Sequence, residues 1–323
     1  MIPNLGRLAI ALTTAATLLT VPAKAADWPT RAVTIVVTMG AGGNTDLLAR
    51  LAADDLSQKF GQPFVVDNRP SAGGVLASNM VASAAPDGYT LLFSPSASLT
   101  LTPLVQKMPF DPEKKLMPVT NVATGAQVIA IKGSLPVKTL SEFFAYAKAN
   151  PGKLNYAAAG TNNLSHLVPL TMFRKANVNV VMVPSRAEPA AISDLIAGNV
   201  DFYFGNASVL LQYKNDPSIR LLAVGTAERI SAAPDIPTIA ETIPGFAVSS
   251  WNGFSVPSAT PSEIVDKLRN EIAAMVQKPD MIAKLTNLGV LPGGQDKAKV
   301  EATFKKDREI WAEAAKIAGL SPQ

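Results

Sequence analysis

The residues best suited to chemistry are glycines, small hydroxyls and one histidine, and they point to holding an anion. Gly40-Ala41-Gly42-Gly43-Asn44-Thr45 follows the apolar run Val33, Ile35, Val36 and Val37, and opens a helix over roughly Thr45–Phe60. Glycine lets backbone turn sharply and approach a ligand. A helix start adds unpaired N–H groups and the positive end of a dipole, which suit a carboxylate. The stretch also comes close to a dinucleotide fingerprint, with Asp67 placed as a ribose contact would be. Thr45 stands where that pattern needs its last glycine, and no GK[ST] follows to make a P-loop. Further loops share this character. They are Ser71-Ala72-Gly73-Gly74, Ser94-Pro95-Ser96, Gly160-Thr161-Asn162-Asn163-Leu164-Ser165 and Arg186-Ala187-Glu188-Pro189. Arg186 could pair bidentately with a carboxylate, or with Glu188, or stay solvated.

Catalytic equipment is sparse. The one histidine, His166, would have to serve any Ser-His-Asp site. Its plainer reading is to order the loop before it, with a hydrogen bond to a ligand as the alternative. No HExxH, carboxylate–histidine metal cluster or GxSxG elbow is present, so neither a metal nor a cofactor is expected. The chain has no cysteine, which excludes disulfides, thiolate catalysis and cysteine metal sites. No Lys/Arg run with interleaved aromatics suggests nucleic acid, although the net charge is +4.

These loops need an α/β scaffold to bring them together. Strand and helix patterns alternate from Val33 to Phe93 and again from Thr139 to Val224, which predicts largely parallel sheets flanked by helices. In such sheets the loops after the strands gather at one edge. Helix stops and starts are explicit: Lys59-Phe60-Gly61-Gln62-Pro63 ends the first helix, and Thr139-Leu140-Ser141-Glu142 is a capping box. Thr260 reads as the cap of another helix, and the C-terminal helices, about Pro279–Leu288 and Gln295–Ala318, are expected to pack on the first unit. Pro109–Pro118 reads as a surface connection, Asp235–Thr242 as a short helix, and Val119–Ile131 and Val248–Val256 as crossings between two units. Trp251 reads as a buried structural residue, or else as a hinge or pocket wall. With 323 residues, 48% of them hydrophobic, there is ample material for two cores.

Residues 1–25 read as a secretory signal. Arg7 precedes an apolar run of about 14 residues, too short to span a bilayer, and Ala23-Lys24-Ala25 gives the A-x-A pattern. The expected product is a soluble periplasmic protein, a compartment with little nicotinamide cofactor to bind.

The chain resembles the substrate-binding receptors of tripartite tricarboxylate transporters, the Bug receptors. The resemblance is carried by Gly42-Gly43-Asn44-Thr45-Asp46 with Arg50, Asp67-Asn68-Arg69-Pro70, Ala85-Pro86-Asp87-Gly88-Tyr89, Asn150-Pro151-Gly152, Ser165-His166-Leu167, Gly198-Asn199-Val200-Asp201 and Pro234-Asp235-Ile236-Pro237. It implies a two-domain α/β periplasmic binding protein fold, each domain a mixed β-sheet flanked by helices, joined by crossing strands. Domain 1 would comprise 26–124 and 249–323, and domain 2 would comprise 125–248, with the ligand cleft between them. It implies a monomer that closes on a small carboxylate, a dicarboxylate or aromatic acid, and passes it to membrane permease subunits. The expected ligand-binding set is Gly40, Ala41, Gly42, Gly43, Thr45, Asp46, Ser94, Ser96, Gly160, Thr161, Asn162, Asn163, Ser165, His166, Arg186, Ala187 and Asp201. The chain departs from the family pattern at Asn162, Asn163 and Arg186, which are expected to tune selectivity. An exported hydrolase-like enzyme or a ligand sensor for a signalling partner are the alternatives.

Overall fold

A computed structural model describes residues 28–159, 164–186 and 188–322. The expected signal segment, residues 1–25, lies outside them. In chain order the elements are β1 (Val33–Val37), α1 (Asn44–Phe60), β2 (Phe64–Asn68), α2 (Val75–Ala82), β3 (Thr90–Pro95), the short α3 (Ala97–Thr100), α4 (Thr102–Val105) and α5 (Pro112–Lys115), then β4 (Leu116–Gly125) and β5 (Gln127–Lys132). There follow α6 (Leu140–Ala149), β6 (Asn155–Ala159), α7 (Leu164–Lys175), β7 (Val181–Ser185), α8 (Glu188–Ala197), β8 (Phe202–Asn206), α9 (Ala207–Leu210) and β9 (Ile219–Val224). The chain closes with β10 (Ser250–Pro257), α10 (Ser262–Met275), α11 (Pro279–Asn287), β11 (Val290–Pro292) and α12 (Lys297–Ala318).

The strands form two mixed sheets, ordered β11-β4-β10-β3-β1-β2 and β7-β6-β8-β5-β9. In the first, β1 runs parallel to β2 and β3, while β10 is antiparallel to β3 and β4. In the second, β6 is parallel to β7 and β8, while β5 is antiparallel to β8 and β9. Helices cover both faces, which explains why β1 is apolar nearly throughout. Val33, Ile35 and Val37 pack with Leu48 and Leu56 of α1 and Leu268 of α10, while Val36 turns to Ala77 and Val81 of α2. In β8, Phe202 and Phe204 enter one core of the second sheet and Tyr203 the other.

The long extended segment is two strands. β4 ends at Gly125 in the first sheet, Ala126 intervenes, and β5 begins at Gln127 in the second. β10 brings the chain back, with Ser250 opposite Gly125. Several local expectations change. The connection over 109–118 contains α5 and opens β4, because Asp111 caps the helix by accepting from the Glu113 N–H. Only Ile239–Glu241 of the expected short helix is helical, as a 3₁₀ turn held by a Thr238/Glu241 capping box. Thr260 is no cap: its hydroxyl donates to the Pro257 carbonyl at 2.7 Å, and Pro261 precedes α10. The C-terminal helices divide. α10 and α11 pack on the first sheet, but α12 serves both, with Val300 and Phe304 in a core of the first and Trp311 and Ala314 in a core of the second.

Candidate functional site

The loop after β1 is exposed from Gly40 to Asn44, and α1 begins there with Gly43 as its cap and no side chain on its free N–H groups. Gly42 takes φ +81°, a conformation glycine adopts without strain, and open space lies where a Cβ would stand at Gly40 or Gly42. One buried carboxylate fixes this shape. Asp46, 2% exposed, accepts from the Gly42 N–H at 2.8 Å, Arg50 Nε at 3.0 Å and Asn68 Nδ2 at 2.9 Å. Burial alone would raise its pKa, but the bonds from Arg50, Gly42 and Asn68 and the Arg50 charge together hold it below the usual carboxylate value. The remaining backbone N–H groups at the start of α1 carry no side-chain cap, and Gly43 and Asn44 there are exposed, as an anion site requires.

Three segments meet on three successive residues of β10. The Thr45 hydroxyl donates to Asn252 Oδ1 at 2.9 Å. The Ser96 N–H donates to the Trp251 carbonyl at 2.7 Å. Gln127 Nε2 donates to Ser250 Oγ at 3.1 Å. The side chain of Trp251 points elsewhere: its Nε1 donates to Asp307 Oδ2 of α12 at 2.8 Å, and its ring meets Phe304 edge-on. Trp251 therefore anchors α12 while its backbone sits in the seam.

On the second-sheet side of the seam, a cavity of about 250 Å³ is lined by Gln127, Ser165, Glu188, Tyr203, Asn206 and Ser250, among others. Ser165 sits in the first turn of α7, where its Oγ accepts the Ala159 N–H at 2.9 Å and ties the end of β6 to the helix. Glu188, in the first turn of α8, accepts from the Asn206 N–H at 2.8 Å and Asn206 Nδ2 at 2.5 Å. Tyr203, fully buried, has its hydroxyl pKa pushed up by burial and then by the charge and hydrogen bond of Glu188.

A family model described as tripartite tricarboxylate transporter family receptor matches residues 48–314. The chain belongs to this receptor family. The receptor is 33% identical over 313 residues to a UPF0065 protein in the gbd 5' region of Cupriavidus necator, covering 95% of this chain and 95% of the relative. Among solved structures, an R. palustris protein with adipate is 33% identical, with a TM-score of 0.73 over 92% of this chain and 100% of that one. MatC of Rhodopseudomonas palustris, with bound malate, is 30% identical, with a TM-score of 0.68 over 89% of this chain and 99% of that one. The fold is thus that of carboxylate-binding receptors, and these neighbours are binding proteins.

The receptor brings some of the expected residues together and separates others. Gly40, Ala41, Gly42, Gly43 and Thr45 line the open side of the first loop or its anchor to the seam, and Ser94 and Ser96 are buried at the end of β3 beside β10. Asp46 lies beneath the loop with both oxygens engaged by protein donors, so it orders the loop. His166 follows Ser165 in α7 and lines a different cavity, about 760 Å³, with Tyr156, Leu170 and Arg174. Burial lowers its pKa and favours the neutral ring. Arg186 is exposed and, among the described residues, forms no ion pair, since Glu188 is engaged by Asn206. Asp201 stands away from the seam, at the starting ends of β6 and β8, where it exchanges bonds with Asn155 at 3.0 Å each way. Gly160, Thr161, Asn162, Asn163 and Ala187 lie outside the described residues. The polar residues of the seam, Gln127, Ser250, Asn252 and Asn206, were not anticipated. One signal was available: Gln127 opens the otherwise apolar run Val128–Ile131 and is 4% exposed.

Proposed function

We propose that the receptor captures a small carboxylate in a cleft between two α/β domains, 26–124 with 249–323 and 125–248, and hands it to membrane permease subunits from the periplasm after loss of residues 1–25. The observation that carries this reading is the convergence of the Thr45, Ser96 and Gln127 segments on Ser250-Trp251-Asn252. With the open start of α1 and the second-sheet cavity on either side of that seam, one ligand can touch both. The carboxylate sits at the α1 N-terminus, held by backbone N–H groups. Closure is a hinge motion at the two crossings, Ala126 and the residues just before Ser250. Adipate and malate bound to the solved relatives favour a carboxylate ligand for this chain as well.

The test is calorimetric titration and thermal unfolding of ligand-stripped protein with mono-, di- and tricarboxylates and aromatic acids. A selective ligand at one hundred times its Kd adds about 2.7 kcal/mol of stability. A stripped protein that no carboxylate stabilises would overturn the reading.

A further inference from the structure

The wall that the second sheet presents to the seam holds one carboxylate and one unpartnered amide oxygen. Among the described residues lining the 250 Å³ cavity, Glu188 is the one ionisable carboxylate and there is no Lys, Arg or His. Its carboxylate is held in place by Asn206, which donates its N–H and Nδ2, and it lies beside the buried Tyr203. Gly205 permits the approach, since a Cβ there would stand 2.7 Å from Glu188 Oε1 and 2.2 Å from Tyr203 Cε1. A carboxylate has about four lone-pair positions, and these two donors leave about two open.

The orientation of the neighbouring amides follows from Glu188. Because Asn206 must turn Nδ2 to the carboxylate, its Oδ1 faces Gln127, 3.4 Å from Gln127 Nε2. Gln127 must therefore present its Nε2 to Asn206 and Ser250, which leaves its Oε1 as the remaining group. That oxygen is buried and has no partner, in a side chain only 4% exposed. A buried acceptor without a donor is costly, and a ligand donor would relieve it. A second carboxylate entering this cavity would instead meet Glu188 with no cation to offset the repulsion.

We infer that this cavity takes a hydrogen-bond donor of the ligand, an ammonium or hydroxyl group, so that the ligand is a monocarboxylate carrying such a donor and not a symmetric dicarboxylate. The inference rests on the receptor reading, with the ligand's carboxylate at the α1 N-terminus. The two anchor points are close enough for one small molecule. Asn252, tied to Thr45, and Ser250, tied to Gln127, are two residues apart on one strand, about 7 Å.

The experiment is calorimetric titration with short-chain dicarboxylates, each paired with the acids in which one carboxylate is replaced by an ammonium or a hydroxyl, such as glutarate with γ-aminobutyrate and γ-hydroxybutyrate. The expected result is tighter binding of a donor-bearing acid than of its dicarboxylate by about ten-fold or more. Glu188→Gln, which keeps an acceptor for the Asn206 N–H and removes the charge, should erase most of the ammonium advantage. If that variant melts early, the wild-type ratio alone decides. Dicarboxylates binding as tightly as their donor-bearing partners would overturn this inference and leave the receptor reading standing. A protein that binds no carboxylate would overturn both.

Discussion

Replacing Asp46 by asparagine should unfasten the loop that holds the carboxylate. Asp46 Oδ2 takes the Gly42 N–H at 2.8 Å and Arg50 Nε at 3.0 Å, while Oδ1 takes Asn68 Nδ2 at 2.9 Å. A carboxamide has one oxygen, so whichever way it turns, an NH₂ group faces either Gly42 or Asn68. One hydrogen bond to a charged group is lost, worth about 1.5–3 kcal/mol, and two donors are left in opposition. The Arg50 contact is half-exposed and adds little. A net loss of about 2–3 kcal/mol lowers Tm by about 3–5 °C in a protein of this size. Gly42, released from its φ of +81°, must then be ordered on binding, so affinity should fall about ten-fold. The pH dependence has a definite sign. The folded pKa is depressed, so this stability is present above the unfolded value of about 3.9 and is lost as pH falls through the lower folded value. The wild-type advantage should therefore vanish in strong acid. Thermal melts across pH, with calorimetric titration at neutral pH, read both quantities. An Asp46→Asn protein that melts with the wild type and keeps its affinity would refute the idea that this carboxylate shapes the loop.

Asp307→Asn should stabilise the protein at neutral pH. Burial pushes the Asp307 carboxyl up to about 6, against the Trp251 bond and the Lys306 charge, so stability falls as pH rises from about 4 through 6. The amide keeps an acceptor for Trp251 and removes the penalty. A gain of up to about 2 kcal/mol near neutrality, absent below about pH 4, is expected in urea melts; a gain independent of pH would contradict it. Gly205→Ala should destabilise by about 1–3 kcal/mol, because the added methyl overlaps Tyr203 and Glu188, both fixed by the same network. Unchanged urea stability in that variant would show that Glu188 moves freely.

Local signals carried much of the architecture. The β-branched run of β1, the glycine turn, and the Lys59–Pro63 stop are written within a few residues, and α1 ends with Gly61 at φ +66° as they predict. The alternation of strand and helix foretold the parallel pairs of β1 and β6 but not the antiparallel pairs that β4, β5 and β10 make, which join strands far apart in sequence. The seam is different in kind. Thr45 meets Asn252 across 207 positions and Gln127 meets Ser250 across 123, and neither pairing has a local pattern. Asp46 was legible only in part: a carboxylate beside an anion loop reads as a ligand group, while the three donors that engage it depend on the fold. Asp201 stands at the start of β8, since a strand can begin as well as end beside a polar loop. The shared helix was also illegible, because the apolar positions Val300, Phe304, Trp311 and Ala314 give no sign that they serve two cores.

That shared helix bears on how the chain acquires its structure during synthesis. Trp311 and Ala314 complete a core otherwise built from residues between Leu101 and Val248. A chain emerging N-terminus first holds most of that core long before its last pieces arrive. The first sheet waits as well, since β10 must insert between β3 and β4. The first-sheet core and the α12-covered face of the second sheet cannot close on a nascent fragment, although the other face, built from Ala126 to Ile236, can; the contacts that close the rest span long stretches of sequence, which slows folding. The consequence is a chain whose packing is complete only when synthesis is nearly finished.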